Sequence, residues 1–167
     1  SMVYINSGSK QFRTINRAKD WERILASGYI YDLALDYRNS GVIYASVGNQ
    51  LIKTLDAGKK WESIYRENRK GVSIMSVVID PNDNLKIYIG TSRGEVYVTQ
   101  DGGQAWTMIL NIEGEVREIA VNPKNSKIVY VGFLEDGVYR TADGGQNWRA
   151  LEEDYFKLRN RRSQIKT

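Results

Sequence analysis

Three aspartates recur in one setting. Asp56, Asp101 and Asp143 each follow a threonine by two residues (Thr54, Thr99, Thr141), precede a glycine by two (Gly58, Gly103, Gly145) and precede a tryptophan by five (Trp61, Trp106, Trp148). A carboxylate in such a loop can carry protons or a metal ion, or it can accept N–H bonds from the loop itself. The spacing points to the second use. A short aspartate side chain reaches backbone N–H groups two or three residues ahead and fixes an Asx-type turn. Glycine two places later permits positive φ, which a residue with a Cβ adopts at a cost of ~1 kcal/mol or more. The tryptophan then opens the returning strand, with a large ring to bury and an indole N–H to satisfy. A fourth copy, Thr14-Ile-Asn16-Arg-Ala18-Lys-Asp-Trp21, has Asn16 for the aspartate and Ala18 for the glycine. Its turn is expected to be looser or differently hydrogen-bonded.

Little else in the chain is equipped for catalysis. Histidine and cysteine are absent, which removes Ser-His and Cys-His nucleophilic devices, thiolate metal sites, disulfides and the commonest zinc ligand. Neither a metal nor a cofactor is expected. Glycoside hydrolysis needs two carboxyl groups ~5–9 Å apart across the sugar. Glu113, Glu115, Glu135 and Asp136 are the only acidic cluster from which such a pair could come, and solvated loop charge is the plainer reading. The run Asp80-Pro81-Asn82-Asp83-Asn84 lacks the glycine and the closing glutamate of a calcium loop and reads as an ordinary turn.

The elements that position these residues follow from their period. Successive tryptophans lie 40, 45 and 42 residues apart, the repeat length of a four-stranded propeller blade. Seventeen or eighteen residues before each tryptophan stands a tyrosine in an apolar run (Tyr4, Tyr44, Tyr88, Tyr130), read as the second strand of a blade. A glycine follows (Gly8, Gly48, Gly94, Gly137), then a third strand ending in the aspartate turn, then a fourth strand from the tryptophan. First strands appear three times, over 30–36, 74–80 and 116–122, each closed by turn residues. The expected architecture is an all-β propeller of four blades, about 2–23, 24–66, 67–111 and 112–151, the first lacking its inner strand.

The repeated phrase resembles the Asp-box, or BNR repeat, Ser/Thr-x-Asp-x-Gly-x-x-Trp. Propellers of sialidases, sortilin-type receptors, xyloglucan-cleaving hydrolases and photosystem II assembly factors carry it. The resemblance implies that Thr14, Asn16, Trp21, Thr54, Asp56, Gly58, Trp61, Thr99, Asp101, Gly103, Trp106, Thr141, Asp143, Gly145 and Trp148 are scaffold, away from any catalytic centre. A sialidase also needs a Phe/Tyr-Arg-Ile-Pro motif, and the nearest approaches here are Phe12-Arg-Thr, Tyr37-Arg-Asn, Tyr65-Arg-Glu and Tyr139-Arg-Thr. Resemblance slightly favours a secreted or cell-envelope protein, and no secretory signal is seen after Ser1-Met2.

A blade without its inner strand exposes a sheet edge and part of the packing between neighbours. Three remedies stand open: the C-terminal segment supplies the strand, a partner chain supplies it, or the chain is a piece of a longer propeller. Residues 152–167 read as a basic tail or short helix, too polar near 158–165 for a central strand. That tail also accounts for the charge. The chain has 24 basic and 20 acidic residues, net +4. Residues 157–167 hold five basic groups and no acidic one, so the remainder is nearly neutral and nucleic acid is not an expected partner. No stretch is apolar for long enough to span a membrane.

Asp-box turns join third to fourth strands, so they share a face with the first-to-second connections. The opposite face carries the remaining loops, where binding residues of propellers concentrate. Arg66, Arg69, Arg93, Glu113, Phe133 and Glu135 are the contact candidates there, since arginine and aromatic groups dominate hot spots. The function expected is a non-catalytic module binding a protein or glycan, with self-association as a way to complete the propeller. The alternative is a fragment of a BNR-repeat glycoside hydrolase whose catalytic residues lie outside this chain.

Overall fold

The computed structural model describes residues 3–7, 10–14, 16, 18–25 and 28–151; the tail or helix expected over 152–167 lies outside them. Four antiparallel sheets follow one another along the chain. The first has three strands, β1 (Val3–Ser7), β2 (Lys10–Thr14) and β3 (Glu22–Leu25). The second has β4 (Ile30–Leu35), β5 (Ile43–Val47), β6 (Gln50–Thr54) and β7 (Glu62–Arg66). The third has β8 (Ile74–Asp80), β9 (Asp83–Thr91), β10 (Glu95–Thr99) and β11 (Thr107–Asn111). The fourth has β12 (Val116–Val121), β13 (Val129–Phe133), β14 (Val138–Thr141) and β15 (Arg149–Ala150). Each sheet meanders in chain order, every strand beside its sequence neighbour. The four tyrosines fall on second strands β1, β5, β9 and β13, as their spacing requires, and the first sheet has no inner strand among the described residues.

These sheets are propeller blades, because their cores lie between them. Inner strand β4 packs on β8, and β8 on β12, while β1 takes the inner place in blade 1 and touches β4. One apolar layer joins Tyr44 and Leu51 of blade 2 to Ile74, Val77, Ile87 and Ile89 of blade 3. A second joins Tyr88, Val96 and Val98 of blade 3 to Val116, Ile119, Val129 and Val131 of blade 4. Each such side chain, fully buried, contributes ~1.5–3 kcal/mol. Alternation along the strands is therefore split between two buried faces, one toward each neighbour.

The Asp-box turns are hydrogen-bonded as their residue types demand. In the three complete boxes the threonine hydroxyl donates to the aspartate carboxylate at 2.7–2.8 Å and accepts the glycine N–H at 3.0 Å. The same carboxylate oxygen accepts two further N–H groups, from Lys59 and Lys60, Gln104 and Ala105, or Gln146 and Asn147, at 2.9–3.0 Å. Asp56, Asp101 and Asp143 are accordingly held below the usual carboxylate range, chiefly by the second of these N–H donors.

The first box is differently hydrogen-bonded, one of the two outcomes expected of it. Ala18 adopts φ 64°, its N–H reaches Thr14 Oγ1 at 3.1 Å, and Asn16 Oδ1 accepts the Asp20 N–H at 3.0 Å. An amide oxygen accepts in the same place as a carboxylate. Its NH2 adds a bond to Asp20 at 2.7 Å that a carboxylate could not donate.

Each complete box also grips the preceding blade. The indole N–H of Trp61 donates to the Ile24 carbonyl at 3.1 Å, and that of Trp148 to the Ile109 carbonyl at 2.9 Å. Beside each indole, the box glycine lies flat on an isoleucine three residues after the previous tryptophan. A Cβ on Gly58, Gly103 or Gly145 would stand 2.8, 2.9 or 3.1 Å from Ile24, Ile64 or Ile109. Glycine is thus required twice over, for its backbone (φ 97–106°) and for the contact.

Candidate functional site

Backbone bonds separate the two ends of the blades. Ala57, Gly102 and Gly144 in the boxes donate to Gly41, Leu85 and Lys127 in or just after the first-to-second turns, so these share one face. That face is internally committed. Asp36 accepts the Arg38 and Asn39 N–H groups, Asp80 accepts the Asn82 N–H and the Ser126 hydroxyl, and Asn84 reaches back to Asp36. The run 80–84 is therefore a turn bridging three blades. Among the described residues no cluster of ligating side chains could hold a metal ion.

The opposite face gathers the candidate contacts. Three loops meet at the junction of blades 3 and 4: the β9–β10 turn, the β11–β12 connection and the β13–β14 turn. Two glycines allow the meeting. Gly94 (φ 89°) lies so close to the Ile112 carbonyl that a Cβ would stand 1.5 Å from it, and a Cβ on Gly114 (φ 124°) would stand 2.4 Å from the Asp136 carboxylate. Between the loops lies a groove of about 690 Å³ lined by Ser92, Arg93, Glu113, Gly114, Glu135 and Asp136. Arg93, Glu113 and Glu135, far apart in sequence, are brought together as expected from loop topology. Three carboxylates and one guanidinium leave an excess of negative charge suited to cationic or hydroxyl-rich ligands.

The other candidates fare differently. Arg66 ends β7 and is exposed. Arg69 is engaged within the scaffold: its guanidinium donates to both oxygens of Glu67 at 2.7 and 2.9 Å and to Glu95 at 2.6 Å. Those bonds raise its already high pKa and lower that of Glu67. Burial pushes Glu95 up, but the bonds from Arg69 and Thr91 outweigh it and leave it below its ordinary value. Phe133 is a correction. It is 7% exposed, edge-on to Tyr139 at 5.4 Å, and belongs to the core of blade 4 rather than to a binding surface.

Two groupings escaped sequence reasoning. Tyr29 and Tyr31 form an exposed aromatic pair, ring centroids 4.9 Å apart, where blade 1 passes to blade 2 on the loop face. Their alternation about buried Ile30 was the available signal. The second grouping is Asp32, Ser76 and Glu118, one at the bulge of each inner strand. Asp32 accepts the Val77 N–H at 2.9 Å and the Ser76 hydroxyl at 3.2 Å, tying blade 2 to blade 3. Burial pushes Asp32 up despite those bonds, and Glu118 is raised by burial and then by the charge of Asp32. Since Asp32 is spent on the clamp, this pair is structural in the first instance.

Two smaller grooves, of about 410 and 350 Å³, lie beside Trp61 and Trp148. Each combines the residue before the box threonine, the box aspartate and the indole. They recur by repetition of the scaffold and mark no distinct site.

Blades stacked through Asp-boxes, with a polar groove on the loop face, define a BNR-type propeller. The family model for sortilin, neurotensin receptor 3, matches residues 49–165, and the chain belongs to that family. No curated protein matches the sequence. Among solved structures, 90% of the chain superposes on an ancestral GH74 enzyme with TM-score 0.76 at 22% identity, covering 22% of that enzyme. The GH74 xyloglucanase of Xanthomonas campestris gives 0.69 at 13% identity, with 90% of this chain and 28% of that one covered. The protein YCF48 bound to D1 peptide gives 0.59 at 22% identity, with 90% and 44% covered. The chain thus spans roughly a quarter of the GH74 enzymes and under half of YCF48. These likenesses show the fold. No helix among the described residues is long and apolar enough to cross a membrane.

Proposed function

We propose that this chain is a non-catalytic propeller module that binds a protein or glycan through the face opposite its Asp-boxes. The convergence of Arg93, Glu113 and Glu135 in one groove carries the reading. A groove with mixed charge, no histidine and no cysteine is built to orient a polar partner rather than to activate a nucleophile. YCF48, similar in fold, is seen with a bound peptide, which supports a protein ligand. Exposed Tyr29 and Tyr31 on the same face support a sugar, because aromatic rings offer a flat apolar surface with a polar tip.

Nuclear magnetic resonance titration tests the proposal with two probes, xyloglucan oligosaccharides and lysine-rich peptides. Shifts confined to residues 29–31, 92–95, 112–115 and 134–137 are the expected result. Shifts confined to the boxes would place binding on the wrong face.

A second reading is a segment of a BNR-repeat glycoside hydrolase whose catalytic residues lie outside this chain. It is favoured by the superposition of 90% of the chain on only 22% of a GH74 enzyme. Xyloglucan cleavage by a longer protein containing this chain, retained after Glu113→Gln and Glu135→Gln, would support it. Cleavage by these 167 residues alone would contradict both readings.

A further inference from the structure

The chain contains three Asp-Gly pairs, at 101–102, 136–137 and 143–144, and no Asn-Gly pair. An aspartate followed by glycine is the setting in which a chain rearranges its own backbone most easily, because a residue without a side chain leaves its amide nitrogen open to the neighbouring carboxyl. We propose that Asp136-Gly137, on the rim of the groove, is a site of spontaneous isoaspartate formation from which the fold protects the two pairs in the Asp-boxes.

The reaction consumes nothing but water and returns it. The glycine nitrogen bonds to the aspartate Cγ, and the carboxyl hydroxyl leaves with the amide proton as water, closing a five-membered imide. Water then adds at the aspartate backbone carbonyl carbon and breaks its bond to the glycine nitrogen. The chain now runs through Cγ, one carbon longer, and the former backbone carbonyl is a free carboxylate on Cα. Nothing is oxidised or reduced.

Hydrogen bonds decide which pair can react. In the boxes both reacting groups are held. Oδ1 of Asp101 and of Asp143 accepts the threonine hydroxyl and two backbone N–H groups. The glycine N–H is turned elsewhere, Gly102 to the Leu85 carbonyl and Gly144 to the Lys127 carbonyl, each at 2.9 Å. Those bonds to the carboxylates also hold both carboxyls below the usual range, and an ionised carboxyl has no hydroxyl to lose as water. Exposure does not make the difference, since Asp101 is exposed as Asp136 is.

At 136–137 neither group is engaged among the described residues. Gly137 uses its carbonyl, which accepts the Phe133 N–H at 2.8 Å, while its own N–H has no acceptor there. The Asp136 carboxylate accepts no hydrogen bond and lies against the backbone of Gly114, where a Cβ would stand 2.4 Å from it. Rearrangement draws the carboxylate back to Cα and away from Gly114, so it reshapes one wall of the groove.

Peptide mapping of the intact chain, stored for weeks at neutral pH, reads the product by its shifted retention and its fragmentation. Isoaspartate should accumulate at 136 about a hundredfold faster than at 101 or 143, because four hydrogen bonds must open there first and each shifts an equilibrium about threefold. In concentrated urea that protection is gone, and the three pairs should react at similar rates. Asp136→Glu should abolish the product at 136, since its imide would need a six-membered ring. Isoaspartate forming at 101 or 143 as fast as at 136, none at 136 in the folded chain, or the same ranking in urea would each overturn the proposal. Mapping reads covalent structure, so its result is independent of what the groove binds.

Discussion

The two faces of this propeller are built from the same loops per blade and use their polar groups in opposite ways. On the box face nearly every hydroxyl, carboxylate and indole N–H points into the chain itself. Thr99 serves Asp101 and Gly103, Asp101 serves Gln104 and Ala105, and Trp106 donates to the Gly103 carbonyl at 3.2 Å. On the loop face Arg93, Glu113, Glu135 and Asp136 border a groove. The comparison teaches that repetition marks scaffold, while its interruption coincides with the groove proposed as the binding surface. Box residues recur because each blade needs the same turn. Groove residues do not recur, because only one junction has them.

The contrast breaks most severely at the indoles. Trp106 packs on Tyr65 at 5.3 Å and against the blade 2–3 core. Trp106→Ala should cost about 3 kcal/mol, in the range of large-to-small changes, and calorimetry would show it as a melting temperature lowered by many degrees. Arg69→Ala comes next. It strands Glu67 and Glu95, each 5% exposed, without their shared cation. The cost should be about 2 kcal/mol, less than for a fully buried pair because the Arg69 side chain is 44% exposed. Urea denaturation reads this, and a loss under 0.5 kcal/mol would return Arg69 to the list of free contact residues. Gly103→Ala follows at about 1–1.5 kcal/mol, from a left-handed backbone and a methyl pressed on Ile64.

These cases also show what the sequence disclosed. Box turns, strand order and the division into two faces were legible because period, tyrosine spacing and turn chemistry are local. Phe133 was misplaced although its signal was present: Val129, Val131 and Phe133 share one parity along β13, and that parity is buried. Arg69 could not be placed by the same means, since Glu95 lies 26 residues away and the pairing depends on how two blades meet. Asp32, Ser76 and Glu118 were hidden for a third reason. Each inner strand has a bulge there, which shifts the alternation that would have marked the residue as inward.

Acid separates the two faces more gently. Asp56, Asp101 and Asp143 have folded pKa values below their unfolded value of 3.8. Their contribution is fully present above that pH and is lost as pH falls through the folded values. Asp32 and Glu118 are raised instead, so their protonation slightly favours the folded state before the boxes begin to titrate. A melting curve should therefore be nearly flat on mild acidification and fall steeply below about pH 4. Asn16 shows how to remove the fall. Its box keeps the turn with an amide at the aspartate position, so Asp56→Asn, Asp101→Asn and Asp143→Asn together should keep the fold at neutral pH and flatten the acid limb. An unchanged acid limb would mean that the boxes do not govern it.

The smallest structural effect belongs to the loop face and is the sharpest test of the comparison. Glu113, Glu135 and Arg93 are exposed, so nothing in the blade is left unpaired when they are shortened. Glu135→Ala and Arg93→Ala should each change stability by less than about 0.5 kcal/mol, the ordinary range for surface sites. Binding of a probe of opposite charge to the removed group should nonetheless weaken about fivefold, because a charged contact at a solvent-screened groove contributes on the order of 1 kcal/mol. A lysine-rich peptide should therefore be weakened by Glu135→Ala and not by Arg93→Ala, and the order should reverse for an acidic one. A stability loss comparable to that of Gly103→Ala, with binding intact, would make these loops scaffold like the boxes and erase the distinction between the faces.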